Sequence, residues 1–102
     1  MKLIELNIQQ IEELCRKYKV RSLYVFGSIL TNKFSESSDI DLLVDFDKSE
    51  IKLTEYADNF FGFMYDMESL LSRKVDLVCD DAVRNPYFRQ ELEETKQLIY
   101  SL

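Results

Sequence analysis

Apolar and polar positions alternate along this chain with two different periods, and each change of period marks an element. Ile8, Ile11, Leu14, Cys15 and Tyr18 recur at three- and four-residue spacing, which predicts a helix over roughly 7–19 with Asn7 placed to cap its start. Leu3, Ile4 and Leu6 can extend an earlier turn. Arg16, Lys17 and Lys19 gather near the helix end, where positive charge complements the macrodipole. Val20 to Phe26 is a β-branched and aromatic run that reads as a buried strand, ending at Gly27. Gly27-Ser28 opens a turn into a short helix, and the polar stretch Asn32–Ser38, broken only by Phe34, is a loop.

From Asp39 to Phe46 the period is two. Ile40, Leu42, Val44 and Phe46 fall on one face and Asp39, Asp41, Leu43 and Asp45 on the other. Leu53, Tyr56, Ala57, Phe60, Met64, Met67 and Leu71 then trace the stripe of a long helix over roughly 50–72. Gly62 inside it costs about 1 kcal/mol relative to alanine, too little to break so strong a pattern. Lys74–Cys79 is a third strand, and Asp80-Asp81 supply a cap or turn. Asn85-Pro86 starts a final helix whose inner face is Phe88, Leu92, Thr95 and Ile99. The order helix, strand, strand, helix, strand, helix predicts an α/β (α+β-like) domain, a small mixed β-sheet flanked by helices, in which a further edge strand could escape notice. At 102 residues the chain is expected to form a single domain, 1–102.

Composition narrows the chemistry. The net charge of −6 argues against a groove that tracks a nucleic-acid backbone, whereas a nucleotide whose phosphates are neutralised by a divalent cation remains compatible. No apolar run reaches membrane-spanning length, and Glu5 and Glu12 spoil a signal-peptide reading. Cys15 and Cys79 form no disulfide framework, so a cytoplasmic location is the simpler expectation. The chain contains no histidine, which removes Ser-His-Asp and Cys-His catalysis, phosphohistidine transfer and His-containing zinc sites. Carboxylates and hydroxyls remain, a donor set suited to hard cations such as Mg2+.

Asp39 and Asp41 are two apart on a strand, so their carboxylates project from one face. Two anions so close repel unless a cation lies between them. Asp76 sits mid-strand between Val75 and Leu77, and it joins the pair if its strand lies beside strand 39–46. Three carboxylates there would be the equipment of a metal-assisted transfer, with Asp76 as a third ligand or as a base toward an incoming hydroxyl. Asp39 as a turn cap, Asp41 as a solvent-facing strand residue and Asp76 as an edge-strand gatekeeper are the bland alternatives. Asp45, Asp47, Asp80 and Asp81 lie at element ends and read as solvated or capping. Gly27 at a strand–helix junction lets backbone approach a phosphate, and the Ser28 hydroxyl can donate to it. The spacing is not that of a P-loop, and Lys33 is no Walker lysine.

The segment GSILTNKFSESSDIDLLVDF, followed by VDLV and then VRNPYFRQELEETKQLIY, resembles the minimal nucleotidyltransferase family of the polymerase-beta superfamily over nearly the whole chain. The resemblance implies the nucleotidyltransferase fold and a metal-dependent transfer of a nucleoside monophosphate from a nucleoside triphosphate, usually ATP. On that basis Gly27 and Ser28 hold the β- and γ-phosphates, Asp39 and Asp41 ligate Mg2+, and Asp76 is the third carboxylate, serving the acceptor hydroxyl. Small members of this family are antitoxin partners of helical HEPN-domain toxins, and some adenylylate a tyrosine of the toxin. The implied partner is therefore a HEPN-domain protein and the implied acceptor a protein hydroxyl.

Where many relatives read Ala-Arg-Gly after Gly-Ser, this chain reads Leu30-Thr31-Asn32. A guanidinium that could brace the site is missing, with Lys33, Arg73 and Lys74 as candidate substitutes. The competing expectations are an antitoxin that neutralises its partner by binding alone, and a nucleotidyltransferase acting on a small molecule or an RNA end.

Overall fold

The computed structural model describes residues 2–102. Along the chain run α1 (Lys2–Leu6), α2 (Ile8–Lys17), β1 (Val20–Phe26), β2 (Ile40–Phe46), α3 (Tyr56–Leu71), β3 (Val75–Cys79), α4 (Pro86–Thr95) and β4 (Gln97–Ser101). Short 3-10 turns occupy Gly27–Leu30, Lys48–Glu50, Leu53–Glu55 and Asp80–Ala82. The strands form one mixed sheet in the order β3-β2-β1-β4. β1 runs antiparallel to both β2 and β4, and β3 runs parallel to β2. This is the mixed sheet between helices that the sequence predicts.

The period-two pattern assigns the two faces. Leu23 and Val25 of β1, the even residues Ile40–Phe46 of β2, and Val75 and Leu77 of β3 pack in one cluster with Ile11 and Cys15 of α2 and Phe63, Met67 and Leu71 of α3. Phe46 anchors it through edge-on contacts with Tyr56, Phe60 and Phe63, at centroid separations of 5.8, 6.4 and 5.9 Å. On the opposite face Phe26 meets Phe88 of α4 at 5.9 Å, and Lys96 Nζ lies 4.3 Å from the centre of the Tyr24 ring. Leu43 and Leu92, both buried outside the larger cluster, belong to this second layer. α4 therefore packs over the face that carries Asp41.

Element boundaries depart from the predicted ones at three places. Asn7 stands at the start of α2 but makes no capping bond there; its Nδ2 donates instead to the Leu3 carbonyl at 2.9 Å, closing α1. The long helix begins at Tyr56, not near residue 50, because Asp47 accepts from the Ser49 N–H and initiates a separate turn, and Lys52 is extended (ψ 142°). Leu53 is thereby left 92% exposed. The final helix stops at Thr95, Lys96 is extended (ψ 148°), and the following residues form β4 against β1. Ile99 is thus a strand residue, not the last member of a helical stripe. Asn85 does cap α4, accepting from the Tyr87 and Phe88 N–H groups, with Pro86 in the first turn.

Gly62 lies close against Tyr18, which ends α2: a Cβ there would lie 2.8 Å from Cε1 of Tyr18. Of the terminal aspartates, Asp47 pairs with Arg21, Asp80 with Arg89 and Asp81 with Lys48, as expected of capping and surface charges. Among the described residues no helix is long and apolar enough to cross a membrane.

Candidate active site

The C-terminal end of β1 and the starts of β2 and β3 meet at one end of the sheet. Asp41 lies opposite Phe26 in the antiparallel pair and opposite Asp76 in the parallel pair. The condition for Asp76 to join the acidic group, that its strand lies beside β2, is therefore met. Lateral partners on adjacent strands sit about 5 Å apart at the backbone and point to the same face. Asp41 is half-buried, whereas Asp39, just before β2, and Asp76 are exposed.

Burial pushes the Asp41 carboxyl above its ordinary range, the charges of Asp76 and Asp39 push it further, and the Ser28 backbone N–H opposes them. Each influence has a clear source: a carboxylate partly removed from water, two like charges nearby, and a hydrogen bond that favours the anion. Among the described residues no group of three or more acidic or cysteine side chains is arranged to hold a metal ion. The expected set Asp39, Asp41 and Asp76 is therefore not a preassembled cage. Mg2+ does not need such a cage, since it is commonly bound by one or two carboxylates completed by water and substrate phosphates.

Gly27 has φ +80°, and a Cβ placed there would overlap Oδ2 of Asp41. Any side chain would meet both backbone strain and that carboxylate, so glycine is required by two independent constraints. The next turn is closed by Thr31, whose N–H and Oγ1 both donate to the Ser28 carbonyl, at 2.9 and 2.8 Å. Thr31 Oγ1 also accepts from the Lys33 N–H at 3.2 Å. Thr31 thus braces the Gly-Ser turn from within.

One feature was not legible from the sequence. A cleft of about 470 Å3 opens beside Gly27, Leu30 and Thr31, and its far wall is Glu91, Glu94, Thr95 and Gln97. Only the break between α4 and β4 brings that wall into place. Arg73, one of the candidate substitutes for the missing guanidinium, hydrogen-bonds to the loop that precedes Asp39. A second cavity of about 430 Å3, lined by Ile51, Leu53, Tyr56 and Cys79, lies at the opposite end of β3 from the aspartates. There Tyr56 and Cys79 are in contact through Oη and Sγ at 3.5 Å, and burial raises the pKa of both groups, which keeps them protonated.

A protein-family model described as a nucleotidyltransferase domain matches residues 8–99. A Methanocaldococcus jannaschii protein provisionally named protein adenylyltransferase MJ0128 is 42% identical over 102 residues, covering 92% of this chain and 97% of that protein. The protein adenylyltransferase MntA of Thermococcus cleftensis is 33% identical over 88 residues, covering 81% of this chain and 79% of that protein. Among solved structures, a toxin–antitoxin complex with AMP-PNP superimposes at a TM-score of 0.70 and 21% identity, covering 94% of this chain and 74% of the other. A complex of the tri-AMPylated Shewanella oneidensis HEPN toxin with MNT antitoxin superimposes at 0.65 and 21%, covering 96% and 72%. At these identities the structures establish a shared fold.

Proposed function

The chain belongs to the nucleotidyltransferase-domain family, and on that premise we propose that it moves AMP from ATP to a hydroxyl of a HEPN-domain toxin, a tyrosine, in a Mg2+-dependent reaction that makes it the antitoxin of the pair. The observation that carries this reading is the meeting of Gly27, Asp41 and Asp76 at one end of the sheet. The relatives named protein adenylyltransferases support AMP as the group moved, and the AMPylated HEPN toxin in a fold neighbour supports a partner protein as acceptor. The AMP-PNP complex supports ATP as donor. Free Cys15 and Cys79 suit a reducing cytoplasm.

The residues fit the cation. All donors are hard oxygens, and burial and like charge disfavour the anion of the half-buried Asp41, a penalty that a divalent ion relieves. Asp39 and Asp41 would hold Mg2+ there, with Asp76 as a third carboxylate within reach. When bound, the ion neutralises phosphate charge and polarises the α-phosphoryl group. Gly27, lacking a side chain, lets the β- and γ-phosphates approach the backbone, and the Ser28 hydroxyl donates to a phosphate oxygen.

In the transfer the acceptor oxygen attacks the α-phosphorus, and the bond from that phosphorus to the β-bridging oxygen breaks. Pyrophosphate leaves with the electron pair. Asp76, exposed beside Asp41, takes the proton of the attacking hydroxyl and releases it to solvent. The described elements all pack on the one sheet, which favours an acceptor presented by a partner.

Neutralisation by contact alone is the second reading. Phe61 and Tyr65 favour it: they stack at 6.2 Å on the outer side of α3 and are 47% and 57% exposed, an aromatic surface suited to a protein partner. Incubating chain and HEPN partner with ATP labelled at the α-phosphate separates the two. Label on the partner supports transfer, whereas a stable complex without label supports masking.

A further inference from the structure

Asp39 sits at the end of a polar loop, and that loop is fastened from the turn between α3 and β3. Ser72, in the left-handed conformation (φ 54°, ψ 38°), ends α3 and swings Arg73 toward the loop. Arg73 Nη1 donates to the Ser35 carbonyl at 2.8 Å and to the Ser38 carbonyl at 3.1 Å. Its guanidinium also lies 4.7 Å from the centre of the Phe34 ring, the loop's one apolar side chain. The Ser38 carbonyl belongs to the peptide that leads into Asp39. On the other side of Asp39, the Ile40 N–H donates to the Lys74 carbonyl at 2.9 Å. Consecutive residues 73 and 74 therefore hold the peptide groups on both flanks of Asp39.

Among the described residues Arg73 enters no ion pair, so its bonding is directed to backbone carbonyls and an aromatic face. A flat guanidinium that lies against the Phe34 ring while one nitrogen serves both carbonyls suits that task better than a lysine ammonium. Asp41 needs no such help, because it stands within a paired strand.

We propose that Arg73 is a positioning residue for the cation-binding pair, fixing the direction of the Asp39 carboxylate relative to Asp41 by clamping Ser35–Ser38. This rests on the reading of Asp39 and Asp41 as Mg2+ ligands. The clamp acts on the backbone around a ligand, as outer partners of metal ligands do elsewhere, where their loss weakens metal binding about 10–100-fold.

The test uses the full chain with Mn2+ as the probe, titrated in the presence of AMP-PNP, together with amide hydrogen exchange. Arg73→Ala is expected to weaken Mn2+ binding about tenfold. It is expected to speed exchange at Ile40 while leaving the interior amides of Leu23 and Leu42 unchanged. Arg73→Lys, which keeps the charge without the flat guanidinium, should recover only part of the affinity. Unchanged Mn2+ affinity in Arg73→Ala overturns the proposal, and so does faster exchange throughout β1 and β2, which would mark general destabilisation. Failure of the unaltered chain to bind Mn2+ overturns the metal reading itself and the clamp's role with it.

Discussion

Asp41 and Asp76 are lateral partners in the parallel pair of β2 and β3. Their juxtaposition has a measurable consequence, because burial and the Asp76 charge raise the Asp41 carboxyl above its ordinary value of 3.8. The charged form is disfavoured in the folded chain and unhindered in the unfolded one.

Asp41→Asn is therefore expected to fold, and in metal-free buffer to melt no lower than the unaltered chain. A folded pKa above the unfolded one means that the folded chain takes up its proton first as pH falls. The penalty on charged Asp41 is complete at neutral pH and disappears as pH falls through the raised folded value toward 3.8. The advantage of Asp41→Asn in thermal melting should accordingly be greatest near neutrality and shrink in acid. A variant markedly less stable at neutral pH would show that Asp41 is a structural anion instead.

Gly27→Ala places a side chain at φ +80° and against the Asp41 carboxylate. Strain of this kind costs about 1–3 kcal/mol, so a lowered midpoint in urea is expected together with loss of adenylyl transfer. A variant with unchanged stability and unchanged transfer would contradict the close approach of Gly27 and Asp41.

Phe63 is fully buried between Tyr18, at a centroid distance of 5.7 Å, and Phe46, at 5.9 Å. It joins α3 to α2 and to the sheet at once. Phe63→Ala is expected to destabilise the chain by about 3–5 kcal/mol, read from chemical denaturation. A loss below 1 kcal/mol, on the order of a surface substitution, would mean that the α2–α3 packing differs from the one described.

The sheet and the placement of Asp39 and Asp41 were largely legible because they depend on period two. Ile40–Phe46 shows its two faces in the alternation itself, and Asp39 and Asp41 follow from it. The pairing of Asp76 with Asp41 depended on strand order, which a single sequence leaves open. Ile99 was misassigned because its spacing from Phe88, Leu92 and Thr95 satisfies a helix as well as a strand. The start of the long helix was obscured because Leu53 falls on the apolar stripe yet is carried on a separate turn. Arg73 reads as one of three candidate braces, but its partners could not be read because they are carbonyl groups, which every loop possesses. Thr31, a departure from the family pattern, became intelligible only through its hydrogen bonds to Ser28.

The most direct measurement is the intact mass of a HEPN-domain partner after incubation with this chain, ATP and Mg2+. The account predicts a gain matching one or more adenylate groups, abolished by chelation of the metal and by Asp41→Asn. A partner that binds the chain yet keeps its mass, or one modified equally well by Asp41→Asn, would contradict it.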